Sequence, residues 1–225
     1  MDFNKEIDEL RKPATQVMSC IAIVIITFSG LTLFYGLEYK NIPLYLKIPT
    51  LIEILIIILS LLQFIRFINF KNSENPNKRL LKRYAQFLTI INILGSYNVA
   101  FAFNNVFYFV ALQNFIDLYH FWLVSTLSIL VSFILWTIGV ILMFIEFPKW
   151  DKFMNGKKRT FIGIALTFIA QFIHIERIIE YILAPNIADS KFIIAGMIFM
   201  LLGIYLVTFE WIRKYADFKI LVLKE

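Results

Sequence analysis

The stretch FWLVSTLSILVSFILWTIGVILMFIEF, residues 121–147, contains a single charged side chain, Glu146, which is second to last. A helix rises about 1.5 Å per residue, so this stretch is long enough to cross the roughly 30 Å hydrocarbon core of a bilayer. Comparable apolar stretches occur before and after it. The predicted spans are residues 16–36, 49–70, 84–103, 121–147, 160–182 and 192–211. We therefore predict an all-α, polytopic integral membrane protein, a bundle of six transmembrane helices.

The composition of the whole chain supports the same class. Of 225 residues, 60% are hydrophobic and only 17% are charged, which leaves too little polar surface to cover a soluble fold. The segments outside the spans, residues 1–15 and 212–225 and the connections, are too short for a further domain. The first span lacks a small-residue cleavage site and is too long for a signal peptide, so it is predicted to be retained.

The distribution of basic residues predicts the orientation. Eighteen of the 22 Lys and Arg residues lie in segment 1–15, in the second connection together with Arg66 near the end of the second span, in the fourth connection and in segment 212–225. Basic loops are retained in the cytoplasm, so both termini are predicted to be cytoplasmic. The net charge of +6 then indicates anionic lipid headgroups as partners rather than nucleic acid. Tyr119 and Trp122 are predicted to lie in the outer interfacial belt of aromatic side chains.

Charged and amide side chains are predicted to share the outer third of the bundle. Counted from Phe161, His174 lies about 20 Å and Arg177 about 24 Å into the membrane, and Asn98 and Glu53 reach similar depths on other spans. Buried charges in membranes face protein or water. The candidate ligand-binding residues are His174, Glu176, Arg177, Glu180, Glu53 and Asn98.

We interpret this cluster as an outward-facing polar vestibule. Arg177 would be its cation, with Glu53, Glu176 and Glu180 as counter-ions, and His174 its pH-sensitive member. The alternative is that these charges reach the lipid headgroups and form structural ion pairs.

A second group of charges is predicted at the cytoplasmic edge. Glu146 and Glu210 occupy equivalent positions at the ends of the fourth and sixth spans, and Arg66 occupies that position in the second. One hypothesis pairs Arg66 with Glu146 or Glu210. The alternative is pairing within each helix, for example between Glu210 and Arg213, which contributes only a few tenths of a kcal/mol.

Proline and small residues predict how the helices pack. All six prolines are placed at helix ends or in connections, so the spans are predicted to be uninterrupted, which disfavours a transporter built from broken helices. Single glycines such as Gly139 and Gly163 are predicted to mark close contacts between helices.

The residues give little support to an enzyme. Two histidines, one cysteine and the absence of zinc-protease, serine-hydrolase and nucleotide-binding motifs yield no catalytic residues, metal site or cofactor. Glu176 and His174 would supply acid and base, but no nucleophile can be named beside them.

Two functions remain. The first is a non-enzymatic sensor, binding or scaffold module whose outer vestibule is coupled to a cytoplasmic protein partner, or which forms a homo-oligomer. The second is a small carrier or channel subunit with a polar path lined by the third and fifth helices. The residues of that path would be Asn92, Asn98, His174, Glu176 and Arg177.

The abundance of Ile, Phe, Asn and Lys indicates an AT-rich genome and the plasma membrane of a prokaryote.

Overall fold

The computed structural model describes residues 3–11, 14–65, 78–145 and 155–224. Within these ranges the chain is helical and contains no strand. The helices are α1 (Phe3–Leu10), α2 (Ala14–Phe34), α3 (Leu44–Leu61), α4 (Lys78–Gln113), α5 (Tyr119–Phe144), α6 (Gly156–Ala170), α7 (Phe172–Leu183) and α8 (Lys191–Lys224). Short 3-10 turns, Tyr39–Asn41 and Leu62–Phe64, precede and follow α3.

Six helical segments are long and apolar enough to cross a membrane, as the sequence predicts. They are α2, α3, α4, α5, the pair α6 and α7 taken together, and α8. Large apolar side chains cover their outer faces, among them Phe28, Leu51, Leu55, Val131, Phe199 and Leu206. This all-helical arrangement with an apolar exterior is typical of a multi-pass membrane protein.

Helix α4 forms the centre of the bundle. In its most apolar stretch 67% of the residues are buried, against 22–39% in the other five segments. Helices α2, α3, α5 and α8 pack around it. Its buried side chains include an unusual number of amides and hydroxyls: Asn92, Ser96, Asn98, Asn104 and Asn105. Because α4 touches four other segments, these groups can bond to several helices at once.

Helices α5 and α6 approach each other through two glycines. A Cβ atom on Gly139 would lie 2.7 Å from the carbonyl oxygen of Gly163, and one on Gly163 would lie 2.6 Å from that of Gly139. Only hydrogen fits at such distances, so both positions require glycine. The pair confirms the packing role that the sequence predicts for these residues.

The structure differs from the predicted spans at several ends. Helix α4 extends past the predicted 84–103 at both ends, and α3 begins at Leu44, which places Pro49 inside the helix rather than at its start. Helix α8 continues through the predicted tail, residues 212–225, as far as Lys224, because Ile212, Tyr215 and Phe218 are buried against the bundle. Exposed charges between these buried positions mask their apolar spacing in the sequence.

The predicted N-terminal tail, residues 1–15, contains α1, which packs on α4 and α8. Its last carbonyl, on Leu10, accepts a hydrogen bond of 2.7 Å from the side-chain amide of Asn92 on α4. The guanidinium of Arg11 donates to the backbone carbonyl of Gln63 at 2.6 Å. Helix α1 therefore covers the end of the bundle at which α3 finishes and α4 begins.

The fifth span is interrupted at Gln171, so the prediction of uninterrupted spans is wrong there. The N–H of His174 donates to the carbonyl of Gln171 at 3.0 Å instead of to Ala170, four residues earlier. The Ala170 carbonyl accepts instead from the hydroxyls of Ser132 on α5, at 2.9 Å, and Tyr205 on α8, at 3.2 Å. Side chains that enter the backbone ladder in this way break a helix without proline or glycine.

Candidate functional site

Arg177 on α7 is the centre of a buried polar cluster. Only 1% of its surface is exposed. Its Nη1 atom lies 2.6 Å from Oε2 of Glu180, one turn along the helix, and its Nε donates to Oε2 of Glu176 at 2.6 Å. Nη1 also donates to the side-chain oxygen of Asn104 on α4 at 3.0 Å. One cation thus meets two carboxylates and an amide, as a buried guanidinium requires.

Two further side chains fix this cluster to the neighbouring helices. The hydroxyl of Tyr108, on α4, donates to Oε1 of Glu180, and the hydroxyl of Ser125, on α5, donates to the oxygen of Asn104. We call Arg177, Glu176, Glu180, Asn104, Tyr108 and Ser125 the Arg177 cluster. It joins α7 to both α4 and α5, so its geometry does not depend on one helix alone.

Glu53 on α3 belongs to a separate group. Its side-chain Oε1 accepts a 2.6 Å hydrogen bond from the amide of Asn105, whose own oxygen accepts from the indole of Trp122 at 2.8 Å. The amide of Asn98 donates to the backbone carbonyl of Glu53 at 3.1 Å. We call these four residues the Glu53 group. Within the described ranges Glu53 forms no ion pair, so the structure does not show it as a counter-ion of Arg177.

The predicted site residues therefore fall into three places. Glu176, Arg177 and Glu180 lie together in the Arg177 cluster, and Glu53 and Asn98 lie together in the Glu53 group. His174 belongs to neither. Its Nε2 atom lies 3.1 Å from the side-chain oxygen of Gln171, and its ring packs edge-on against Tyr205, beside the break in the fifth span.

An open cleft lies beside the Arg177 cluster, between the start of α5 and α7. Its volume is about 250 Å³. The lining residues are His120, Phe121, Val124, Glu176, Ile179, Glu180 and Leu183. A second cavity, of about 10 Å³, lies between Arg177 and Glu180 on one side and residues of α4 and α8 on the other, and has room for about one water molecule. The polar groups are thus closely packed, and the accessible space lies at their edge.

The similarity to known proteins is limited to one family. Residues 4–225 match the family model described as "Domain of unknown function (DUF5079)". The chain belongs to this family. No curated protein and no solved structure matches it. What can be said of the activity of this DUF5079 member therefore depends on its own residues.

Among the residues whose positions are described, no three His, Cys, Asp or Glu side chains are placed to hold a metal ion. At the opposite end of the bundle Glu210 pairs with Arg213 at 3.0 Å. This is the predicted alternative in which Glu210 pairs within its own helix. Arg66 and Glu146 lie outside the described residues.

The predicted site residues omit several side chains that complete the two groups. The helical rise places Asn104 in the same outer third as Arg177, but it does not show that Asn104 bonds to Arg177 or that its neighbour Asn105 bonds to Glu53. Trp122 is predicted in the interfacial belt, but it is buried and its indole donates to Asn105. Ser125 belongs to a row of small residues, with Ser128, Ser132 and Gly139, that predicts a packed helix face, but this row does not identify a hydrogen-bond partner, and Tyr108 has no distinguishing pattern.

Proposed function

We propose that this chain is an integral protein of a prokaryotic plasma membrane, with six spans and both termini in the cytoplasm, that binds a ligand at its outer end. The six apolar segments and their exposed apolar surface support insertion. The concentration of Lys and Arg in alternate connections supports the orientation. With this orientation the basic connections contact anionic lipid headgroups, and the Arg177 cluster and its cleft face outward.

The observation that carries the proposal is the cleft beside the Arg177 cluster. Its acidic wall, Glu176 and Glu180, is held by Arg177, and Arg177 is in turn held by Asn104 on the central helix. The opposite wall belongs to α5 and consists of the imidazole of His120 and the apolar side chains of Phe121 and Val124. A concave apolar surface with a few fixed polar groups is the usual form of a small-molecule site.

The interruption at Gln171 provides a route by which a movement of α7, caused by ligand binding, reaches the inner end of the bundle. Helix α7 carries the acidic wall and is joined to α6 by Gln171. At that point the Ala170 carbonyl is bonded to α5 and α8 through Ser132 and Tyr205. Helix α8 continues from Tyr205 to the inner end, where it packs on α1. Movement of α7 on binding would therefore reach the cytoplasmic face, where we propose a separate protein partner or a second copy of this chain.

A pair of matched substitutions tests the binding site. Val124 lines the cleft, and Val131 lies two turns farther along the same face of α5; their exposed fractions are 56% and 54%. Native mass spectrometry of protein extracted in mild detergent should show a discrete small-molecule adduct in the wild type and in Val131→Trp. The adduct should be lost in Val124→Trp, because the indole fills the cleft. An adduct retained equally by both variants would place the ligand elsewhere.

A carrier is the second candidate, and the break in the fifth span favours it, because transporters often build their sites at interrupted helices. The inner half of the bundle argues against it. Asn92, which is assigned to the polar path, is fully buried, and its side-chain amide donates to the backbone carbonyl of Leu10. The backbones of α5 and α6 are in direct contact at Gly139 and Gly163, which leaves no space for a path between them. In a background with Cys20→Ser, a membrane-impermeant maleimide added from the cytoplasmic side should leave Thr167→Cys unlabelled. Rapid labelling there would reveal an open inner path and support the carrier.

A further inference from the structure

We infer that the cleft between α5 and α7 binds an organic monocation, an ammonium group attached to a compact apolar body. This inference rests on the proposed binding function and specifies its ligand. It follows from the charge of the acidic wall, from a carboxylate oxygen of the lining residue Glu176 that accepts no hydrogen bond within the described ranges, and from the apolar side chains of the lining.

The charges of the Arg177 cluster do not balance. Glu176 and Glu180 carry two formal negative charges, and Arg177 supplies one positive charge. Arg177 is buried and held by both carboxylates and by Asn104, so an anion would have to displace these contacts before it could bind the guanidinium. When both carboxylates are ionised, the wall has a net negative charge, and a cation at Glu176 would neutralise it.

Glu176 is the residue that would meet this cation. Its Oε2 atom is bound by Arg177, whereas its Oε1 atom accepts no hydrogen bond from any residue in the described ranges. Its side chain is 24% exposed, while that of Glu180 is 4% exposed and has both oxygens engaged, by Tyr108 and Arg177. Glu176 thus has one oxygen free to accept a charge-assisted hydrogen bond.

The rest of the lining suits an ammonium compound. Phe121 presents an aromatic ring and His120 an imidazole at the same end of α5, and aromatic faces attract organic cations. Val124, Ile179 and Leu183 form the apolar part of the surface. An anion would be repelled by the carboxylates of the wall and would find no cation free to pair with it among the lining residues. A zwitterionic phospholipid would bring its phosphate toward the same wall, so we assign a free amine rather than a lipid headgroup.

The experiment compares three probes that share one apolar body and differ in charge. They are 4-phenylbutylammonium, 4-phenylbutanol and 5-phenylpentanoate, each titrated against the full chain in phosphatidylcholine nanodiscs, with empty nanodiscs as the blank. The ammonium probe should bind about tenfold more tightly than the alcohol, which corresponds to one charge-assisted hydrogen bond. The carboxylate probe should bind no more tightly than the alcohol.

Two variants assign the preference to Glu176. Glu176→Gln should remove the tenfold preference for the ammonium probe, because it takes away the charge and keeps the shape. Glu210→Gln is the matched control, since Glu210 also pairs with an arginine on its own helix but lies at the other end of the bundle. It should leave all three affinities unchanged. Size-exclusion profiles of both variants should match that of the wild type.

The outcomes separate the ligand class from the site. If the alcohol binds as tightly as the ammonium probe, and Val124→Trp blocks both, the cleft remains a binding site and the assignment of a cation is overturned. If no probe binds in a way that depends on Val124 or Glu176, the inference and the proposed site are both overturned. Preference for the carboxylate probe would overturn the cation and indicate that Arg177 is available to ligands.

Discussion

The two halves of the bundle, the proposed outer half with α7 and the proposed inner half with α6, are held together by different interactions. At the outer end α7 is joined to α4 and α5 by the Arg177 cluster, in which each contact is an ion pair or a hydrogen bond. In the inner half α6 is joined to α5 by backbone contact at Gly139 and Gly163, with no space for a side chain. The fifth span passes from one kind of contact to the other at Gln171.

This difference between polar contacts and backbone contact indicates which part of the molecule is able to move when a ligand binds. Polar contacts can be exchanged for contacts with a ligand, because hydrogen-bond donors and acceptors accept alternative partners. Two backbones in direct contact have no such alternative, and their contact resists deformation. Binding at the outer end is therefore expected to move α7 and to leave the junction of α5 and α6 in place.

The largest expected effect is that of removing the cation at the outer end. Arg177→Met leaves Glu176 and Glu180 next to each other without a counter-ion, and Glu180 is almost fully buried. Loss of one partner from a buried ion pair costs about 3–5 kcal/mol. The free energy of unfolding, measured by titration of dodecylmaltoside micelles with dodecyl sulfate, should fall by that amount.

Two controls show whether charge is the cause. Arg213→Met removes the exposed pair with Glu210 and should change the free energy of unfolding by less than about 1 kcal/mol. Combining Arg177→Met with Glu176→Gln and Glu180→Gln should recover most of the lost stability, because no unpaired charge remains. If the triple variant is as unstable as Arg177→Met, the cluster stabilises by packing rather than by charge.

The sequence predicted which polar residues lie at one level of the bundle better than it predicted their partners. The six apolar segments and the shared outer position of Arg177, Glu180 and Glu53 follow from hydropathy and from the helical rise. Which residues bond to each other depends on the rotation and order of the helices. Arg177 and Glu53 lie at similar depths, yet they bond to adjacent residues of α4, Asn104 and Asn105.

The break at Gln171 could not be predicted for a different reason. Its cause is two hydroxyls on other helices, Ser132 and Tyr205, and local sequence contains no trace of them. Helix α1 was missed for a related reason. Eight residues are too few to form a stable helix alone, and α1 is stabilised by its contacts with α4 and α8.

A smaller effect is expected in the inner half, where Gly163→Ala tests the backbone contact. The new methyl group would lie 2.6 Å from the carbonyl oxygen of Gly139 and 2.7 Å from the side chain of Met143. Met143 can move aside, but the backbone of α5 cannot do so without shifting the helix. Overpacking of this kind costs about 1–3 kcal/mol, and the same dodecyl sulfate titration should show that loss.

Gly203→Ala on α8 is the matched control, because a Cβ atom there has no neighbour within 4 Å. It should leave the free energy of unfolding unchanged or raise it slightly, since alanine favours the helix. Gly163→Ala should also leave ligand binding at the outer end intact, because the junction of α5 and α6 lies on the other side of Gln171. A loss of binding as large as that caused by Val124→Trp would mean that the two halves move together, and the contrast between them would then hold for stability alone.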